Sequence, residues 1–157
     1  MPAEANYLTF TIGSYQFGLP AVDVLEINRS LEYTNIPQSA KSIRGILNLR
    51  GQLVPVIDMR HYLNIDMENL NSETTSIILN VGSQLVSLLV DRVGDIIFFE
   101  QSAFEPPPNN LSNTADEAIV GAYKLPNGLI IILDTKAFTR ARSQEPSNMK
   151  NNLPATA

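Results

Sequence analysis

Cysteine and tryptophan are both missing from this chain of 157 residues, and histidine occurs once, at His61. The lack of cysteine excludes a disulfide framework, thiolate chemistry and cysteine-built zinc sites, and it fits a reducing cytoplasm. A lone histidine leaves no histidine-rich metal centre, and a Ser–His–acid triad would depend on that single position. Neither G-x-G-x-x-G, G-x-x-x-x-G-K-[ST] nor G-x-S-x-G occurs, so the common phosphate loops and the nucleophile elbow are absent as motifs. Lys and Arg form no cluster and the net charge is −5, which opposes binding to nucleic acid or to an anionic membrane surface. The longest apolar block, Leu129 to Leu133, is far short of the roughly 20 residues that a membrane-spanning helix needs. Met1 to Ala5 contains an acid and no basic or apolar run, so no secretory signal is expected and the protein should stay inside the cell.

What the chain does contain is one pattern written twice. Ile12 Gly13 Ser14 and Val81 Gly82 Ser83 share an apolar, glycine, serine step at an offset of 69, and the same offset relates Leu8 to Ile77, Phe10 to Leu79, Phe17 to Val86, Leu19 to Leu88 and Val24–Ile27 to Val93–Ile96. Farther along the offset is 76: Gly45 matches Gly121, Leu49 matches Leu125, Val56 Ile57 Asp58 matches Ile132 Leu133 Asp134, and Tyr62 matches Phe138. A single seven-residue insertion between Ile96 and Ile119 accounts for the shift, and Pro106 Pro107 Pro108 Asn109 Asn110 stands there as a surface loop. Two copies of one short β pattern predict two similar small folds packed on each other, because each half is near the lower size limit for burying its own core.

The alternation in Leu8–Ile12 and Gln16–Leu19 predicts a half-buried hairpin turning at Gly13 Ser14 Tyr15. Its repeat, Ile77 to Leu89, is more continuously apolar and should be buried on both faces. Pro20 opens a short helical turn. Ile46–Leu49 and Leu53–Ile57 read as a second hairpin turning at Arg50 Gly51, and Pro55 should place its strand at an edge or a bulge. Asp134 or Thr135 caps a short final helix through Arg142, with Phe138 facing the core. Residues 143–157 are polar, interrupted by Pro146 and Pro154, and are expected to be disordered. The duplication predicts one core from Leu8, Phe10, Phe17, Leu19, Val56 and Ile57 and another from Ile77, Leu79, Val86, Leu88, Ile132 and Leu133.

Little of this is catalytic chemistry. Acids are dispersed rather than grouped at ligand spacing, so no metal or other cofactor is expected. Asp58 lies three residues before His61, but the matched Asp134 has Ala137 in the histidine's place, so Asp58 reads as the cap of the turn after its strand. Glu26 and Arg50 stand out because each is a charge inside an apolar segment of the first copy. The second copy keeps an acid, Asp95, and has Pro126 in place of the arginine. An arginine at a hairpin tip is often simply solvated; alternatively the two residues pair across a groove and orient a partner-binding surface.

The segment Asn48 Leu49 Arg50 Gly51 Gln52 Leu53 Val54 Pro55 Val56 Ile57 Asp58 Met59 Arg60 resembles the signature of the CheW coupling proteins. Tyr7–Gly18, Val24–Ile27, Ile43–Gly45, Val90–Val93 and Gly121–Asp134 resemble their counterparts too, so the likeness covers about residues 6–140 as a single CheW-like domain with two halves, about 6–66 and 75–140, between which strands could cross over. The resemblance implies an all-β fold of two five-stranded, SH3-like β-barrels with short connecting helices. It implies a cytoplasmic scaffold without enzymatic activity or cofactor, recruited to membrane-associated chemoreceptor arrays. Its implied partners are the regulatory domain of a CheA-type histidine kinase and the cytoplasmic hairpin tip of methyl-accepting chemoreceptors, with no nucleic acid and no membrane insertion. Val24, Glu26 and Ile27 match the family's receptor-contact segment, and Arg50 with Gly51 match its Arg-Gly turn. Glu105, Pro106, Pro107, Pro108 and Leu111 match a loop that contacts the kinase, where Asn109 Asn110 Leu111 departs from the aromatic residue often found. A coupling protein of another chemosensory pathway, such as pilus motility, a detached kinase-binding domain and a small hydrolase using His61 are the alternatives.

Overall fold

Short apolar runs rich in β-branched residues, broken by glycine turns, favour strands over helices, and a computed structural model shows this arrangement. It describes residues 4–29, 32–36, 42–65, 74–107 and 118–143. The strands are β1 (Glu4–Ile12), β2 (Tyr15–Pro20), β3 (Val24–Asn28), β4 (Thr34–Asn35), β5 (Ile43–Leu49), β6 (Gln52–Asp58), β7 (Thr75–Val81), β8 (Gln84–Val90), β9 (Arg92–Glu100), β10 (Phe104–Glu105), β11 (Ile119–Leu125) and β12 (Gly128–Leu133). Helix α1 (Met59–Tyr62) follows β6, α2 (Lys136–Ser143) follows β12, and a 3-10 turn at Ala21–Asp23 joins β2 to β3. Of the polar stretch 143–157, Ser143 ends α2 and the remainder lies outside the described residues.

The fold is all-β, in two sheets of six strands each. Sheet A has the order β10-β11-β12-β2-β1-β9 and sheet B the order β4-β5-β6-β8-β7-β3. Each sheet therefore takes a hairpin from one copy of the pattern and four strands from the other. Each hairpin is joined on one side by a parallel pair, Ile132 beside Gly18 in sheet A and Val56 beside Ser87 in sheet B, and on the other by an antiparallel one, β1 with β9 and β7 with β3.

Ladder registers repeat at the offsets read from the sequence. Leu8 opposes Leu19 and Phe10 opposes Phe17, as Ile77 opposes Leu88 and Leu79 opposes Val86. Gly45 opposes Val56 beside a bulge, as Gly121 opposes Ile132 beside another. The shift from 69 to 76, however, is not one insertion. Thr34 opposes Ile46 and Glu105 opposes Ala122, so Thr34 and Glu105 are equivalent at an offset of 71. Two extra residues precede β10 and five follow it.

Neither sheet is flat. Strands β9 and β11 lie far apart in the order of sheet A, yet the rings of Phe99 and Tyr123 stack with centroids 4.3 Å apart, so the sheet curls on itself and is joined there by side chains. Gly121 lets β10 cross: a Cβ on it would stand 2.1 Å from Cζ of Phe104 and 2.4 Å from the carbonyl oxygen of Glu105. Gly45 does the same for β4, where a Cβ would lie 2.2 Å from the carbonyl oxygen of Thr34.

The core differs from the two-part expectation. Leu8, Phe10, Phe17, Leu19, Ile57, Ile77, Leu79, Val86, Leu88 and Leu133 all belong to one buried cluster between the sheets, joined by Met59 and Phe138. Only Val56 and Ile132 fall in separate interiors, Val56 with Leu47, Leu49, Val54, Ile78 and Leu89 in sheet B, and Ile132 with Tyr7, Tyr123 and Ile130 in sheet A. The first hairpin is not half-buried either, since Tyr7, Leu8, Thr9 and Phe10 are all inside. One face of β1 fills the sheet A interior and the other fills the shared core. Tyr62 and its equivalent Phe138 touch, with ring centroids 5.2 Å apart, as residues near a pseudo-twofold axis must.

Pro55 does not mark an edge, because β6 lies between β5 and β8. Its missing N–H is tolerated because the ladder to β8 starts only at Val56.

Candidate functional site

Arg50 and Gly51 form the two-residue tip between β5 and β6, closed by the pair Leu49 and Gln52. Both have positive φ, 50° and 88°, the backbone of a type I′ turn, which suits the twist of a hairpin and tolerates glycine best at its second position. The amide of Gly51 donates to Oδ1 of Asn48 at 2.9 Å, so the side chain of Asn48 holds the tip in place. An arginine kept in left-handed backbone is a small local cost, of order 1 kcal/mol, that the surrounding contacts must offset.

Glu26 approaches from β3, the edge strand of sheet B. A bulge between Val24 and Glu26 redirects the side chains there, as bulges do. The guanidinium of Arg50 donates from Nη2 to Oε2 of Glu26 at 3.0 Å. The arginine side chain is 74% exposed and the glutamate 24% exposed, so the pair lies on the surface and contributes about 0–1 kcal/mol to folding. Its geometric effect is to bridge β3 to the β5–β6 tip across the curl of sheet B.

Apolar surface flanks this pair. Ile27 is exposed and Val24 half-buried. Leu25 and Leu53 are also exposed, and these two were not singled out from the sequence. Leu53 was visible only as the apolar residue two steps past the tip, where a strand's alternation is not yet set. Exposed aliphatic side chains on the strand of Glu26 and on the strand that follows the Arg50 tip give the region apolar contact area beside a polar anchor, the composition of a protein-binding surface.

The second candidate segment starts on β10, at the far edge of sheet A. Glu105 is paired with Lys124 at 3.1 Å, and Pro106 and Pro107 follow it. Pro108 and Leu111 lie outside the described residues. Among the described residues no hydrogen bond or ion pair joins this segment to Glu26 or Arg50.

The signature's acid is structural. Asp58 caps α1 by accepting from the amide of Arg60 at 3.1 Å and takes an ion pair from Arg44 at 2.9 Å. Asp134 repeats the cap, accepting from the amide of Lys136 at 3.0 Å. His61 is exposed, with Ser42 Oγ at 3.5 Å from its Nδ1. Among the described residues no three His, Cys, Asp or Glu side chains group as metal ligands would, and no helix is long and apolar enough to cross a membrane.

A network missed by the sequence reading joins the two sheets. Arg60, nearly buried, donates from Nε to Oδ1 of Asp91 at 3.0 Å and forms a second, short bond to Oδ2. Oδ2 of Asp91 also accepts from the amide of Gly13 at 2.8 Å. One carboxylate thus ties the β8–β9 junction to α1 and to the turn of the first hairpin. Before α2 a different pair closes the related junction, from positions one residue away from the equivalents of Arg60 and Asp91: Thr135 Oγ1 donates to Oδ2 of Asp23 at 2.8 Å.

Comparison with known proteins decides the family. The CheW-like domain model matches residues 6–143. The chain belongs to the CheW-like family. It is similar to the chemotaxis protein CheW of Klebsiella aerogenes, 30% identical with 82% of this chain and 78% of that one covered. Protein FrzA of Myxococcus xanthus is 26% identical, with 77% and 75% covered. Among solved structures, the scaffolding protein TtCheW from Thermoanaerobacter tengcongensis superposes with a TM-score of 0.75 at 30% identity, covering 85% of this chain and 90% of that one.

Proposed function

We propose that this CheW-like chain is a non-enzymatic adaptor in chemotaxis signalling, which binds the helical hairpin tip of a chemoreceptor on one surface and the regulatory domain of a CheA-type histidine kinase on another. In this reading the protein works from the cytoplasm and joins membrane-associated receptor arrays through those partners. The observation that carries it is the Arg50–Glu26 bridge, with Leu25 and Ile27 exposed on the strand of Glu26 and Leu53 exposed on the strand that follows the tip. An amphipathic helix can lay its apolar face on those aliphatic side chains while its polar residues meet the exposed guanidinium. Val24, Glu26, Ile27, Arg50 and Gly51 form the receptor surface. Glu105 and the prolines after it, with Leu111, form the kinase surface.

The test is co-sedimentation with receptor signalling fragments and kinase, beside a denaturant melt of each variant. Reversing the charge at Arg50 or at Glu26 leaves folding within about 1 kcal/mol of the parent. Receptor binding falls by roughly thirtyfold, since a desolvated interface anchor costs about 2 kcal/mol when removed. Variants that lose several kcal/mol of stability yet bind normally when folded make the pair structural and withdraw its functional role.

A further inference from the structure

The bridge across sheet B has an unfinished twin across sheet A. Strand β9 repeats the bulge of β3 and carries Asp95 where β3 carries Glu26, but the tip between β11 and β12 has Pro126 where sheet B has Arg50. Among the described residues the carboxylate of Asp95 has no hydrogen-bond or ion-pair partner, and neither has the guanidinium of Arg92 on the same strand.

The seam is also hollow. In sheet B the corresponding positions hold Ile78, Leu85, which packs against the same interior, and the exposed Leu25. Sheet A has Thr9, Gln16 and Gly94 at those three positions. The bulge holds them there: Thr9 Oγ1 donates to the carbonyl oxygen of Asp95 at 2.7 Å, and a Cβ on Gly94 would stand 2.8 Å from that hydroxyl oxygen. What remains is a pocket of about 300 Å³ whose lining combines the apolar Val93, Ile97, Leu125 and Ile130 with the polar Gln16, Arg92 and Asp95. That volume is at the small end of the range for ligand pockets, roughly 300–1,000 Å³.

We propose that this seam receives a segment of a partner protein in which an arginine or lysine stands beside a large apolar side chain. The partner's cation meets Asp95 as Arg50 meets Glu26 within the chain, and the apolar side chain fills the pocket. Arg92 takes a carbonyl or carboxylate of the same segment. Among the described residues strand β9 is laddered to β1 alone, so away from the Phe99–Tyr123 stack that closes the curl its other edge can take an extended segment. An uncharged apolar molecule would match the apolar lining and leave Asp95 unanswered, which is why the charge selects a cationic segment. This inference is independent of the receptor and kinase surfaces above.

The experiment titrates the isotope-labelled full chain with the blocked peptide acetyl-Gly-Leu-Arg-Leu-Gly-amide and with its citrulline counterpart, following backbone amide shifts. Shifts should centre on Gly94, Asp95, Ile97 and Leu125, and the arginine peptide should bind about fivefold more tightly than the neutral one, as a charge-assisted bond at a partly exposed site allows. Asp95→Asn should remove that preference with an unchanged melting temperature. Gln16→Leu, which copies Leu85, should weaken both peptides alike. The proposal is overturned if the parent chain shows no shifts at millimolar peptide, if the shifts map to β3 and the Arg50 tip, or if Asp95→Asn still prefers arginine.

Discussion

Tyr7, Phe99, Phe104 and Tyr123 meet inside sheet A, whereas the equivalent interior of sheet B holds Leu47, Leu49, Val54, Val56, Ile78 and Leu89. The exchange is position by position. Ser76 stands where sheet A has Tyr7, and Ser87 where it has Gly18, and in sheet B those two hydroxyls bond to each other at 2.5 Å. In sheet A the ring of Tyr7 takes the room that Gly18 leaves, since a Cβ on Gly18 would lie 2.9 Å from Cδ1 of Ile132 and 3.4 Å from Cβ of Tyr7. A large residue facing a glycine and two small residues facing each other fill comparable space. The ladders and the crossing glycines keep the two sheets alike, while their interiors diverge because a core tolerates any close-packed set of roughly the right volume.

Truncation measures that divergence most strongly. Tyr123→Ala removes a ring that touches three others and should cost about 3–5 kcal/mol, while its equivalent, Leu47→Ala, should cost about 2–5 kcal/mol in a denaturant melt. Equal losses would mean that the aromatic set adds nothing beyond its volume. The two latches between the sheets come next. Arg60→Ala leaves Asp91 partly buried without its guanidinium and should cost about 3 kcal/mol, whereas Thr135→Ala at the related latch should cost about 1 kcal/mol. A reversed order would show that the neutral latch carries the junction. The smallest effect is alkaline. Burial first, then the hydrogen bond and charge of Tyr123, hold the Tyr7 phenol above its ordinary pKa. The unfolded phenol ionises near pH 10 while the folded one stays neutral, so this group's contribution is complete below about pH 10 and is lost as pH rises beyond it. Melts of the parent and of Tyr7→Phe across that window should diverge in slope, and parallel slopes would sink the assignment.

The duplication, the turns, the capping role of Asp58 and the pairing of Glu26 with Arg50 were legible because each leaves a local mark: a repeated register, a glycine, an acid after a strand, a charge in an apolar run. The exchange of hairpins could not be read in the same way. Alternation says which face of a strand is buried and nothing about which sheet receives it, so Leu8 and Ile77 looked like members of two cores when they share one. The expected half-burial of β1 failed for a related reason. Thr9 counts as polar in a pattern, but inside the sheet its hydroxyl is satisfied by the carbonyl of Asp95. Arg60 gave no sequence signal at all, because its partner Asp91 is 31 residues away and belongs to the other copy. The proline loop looked like the site of the whole insertion because proline marks loops, while the two residues gained before β10 carry no such mark.

The parallel joint between β2 and β12 also shapes how the molecule is made. Gln16 leaves the ribosome more than a hundred residues before its neighbour Ile130, an interval on the order of ten seconds at ordinary rates of synthesis. During that time the first hairpin has Phe10 and Phe17 but not the sheet that covers them, and neither half of the pattern, cut free, could complete a sheet of its own. Non-local pairing of this kind slows folding. The two copies of the pattern are interdependent halves, which a nascent chain can assemble only once β12 has emerged.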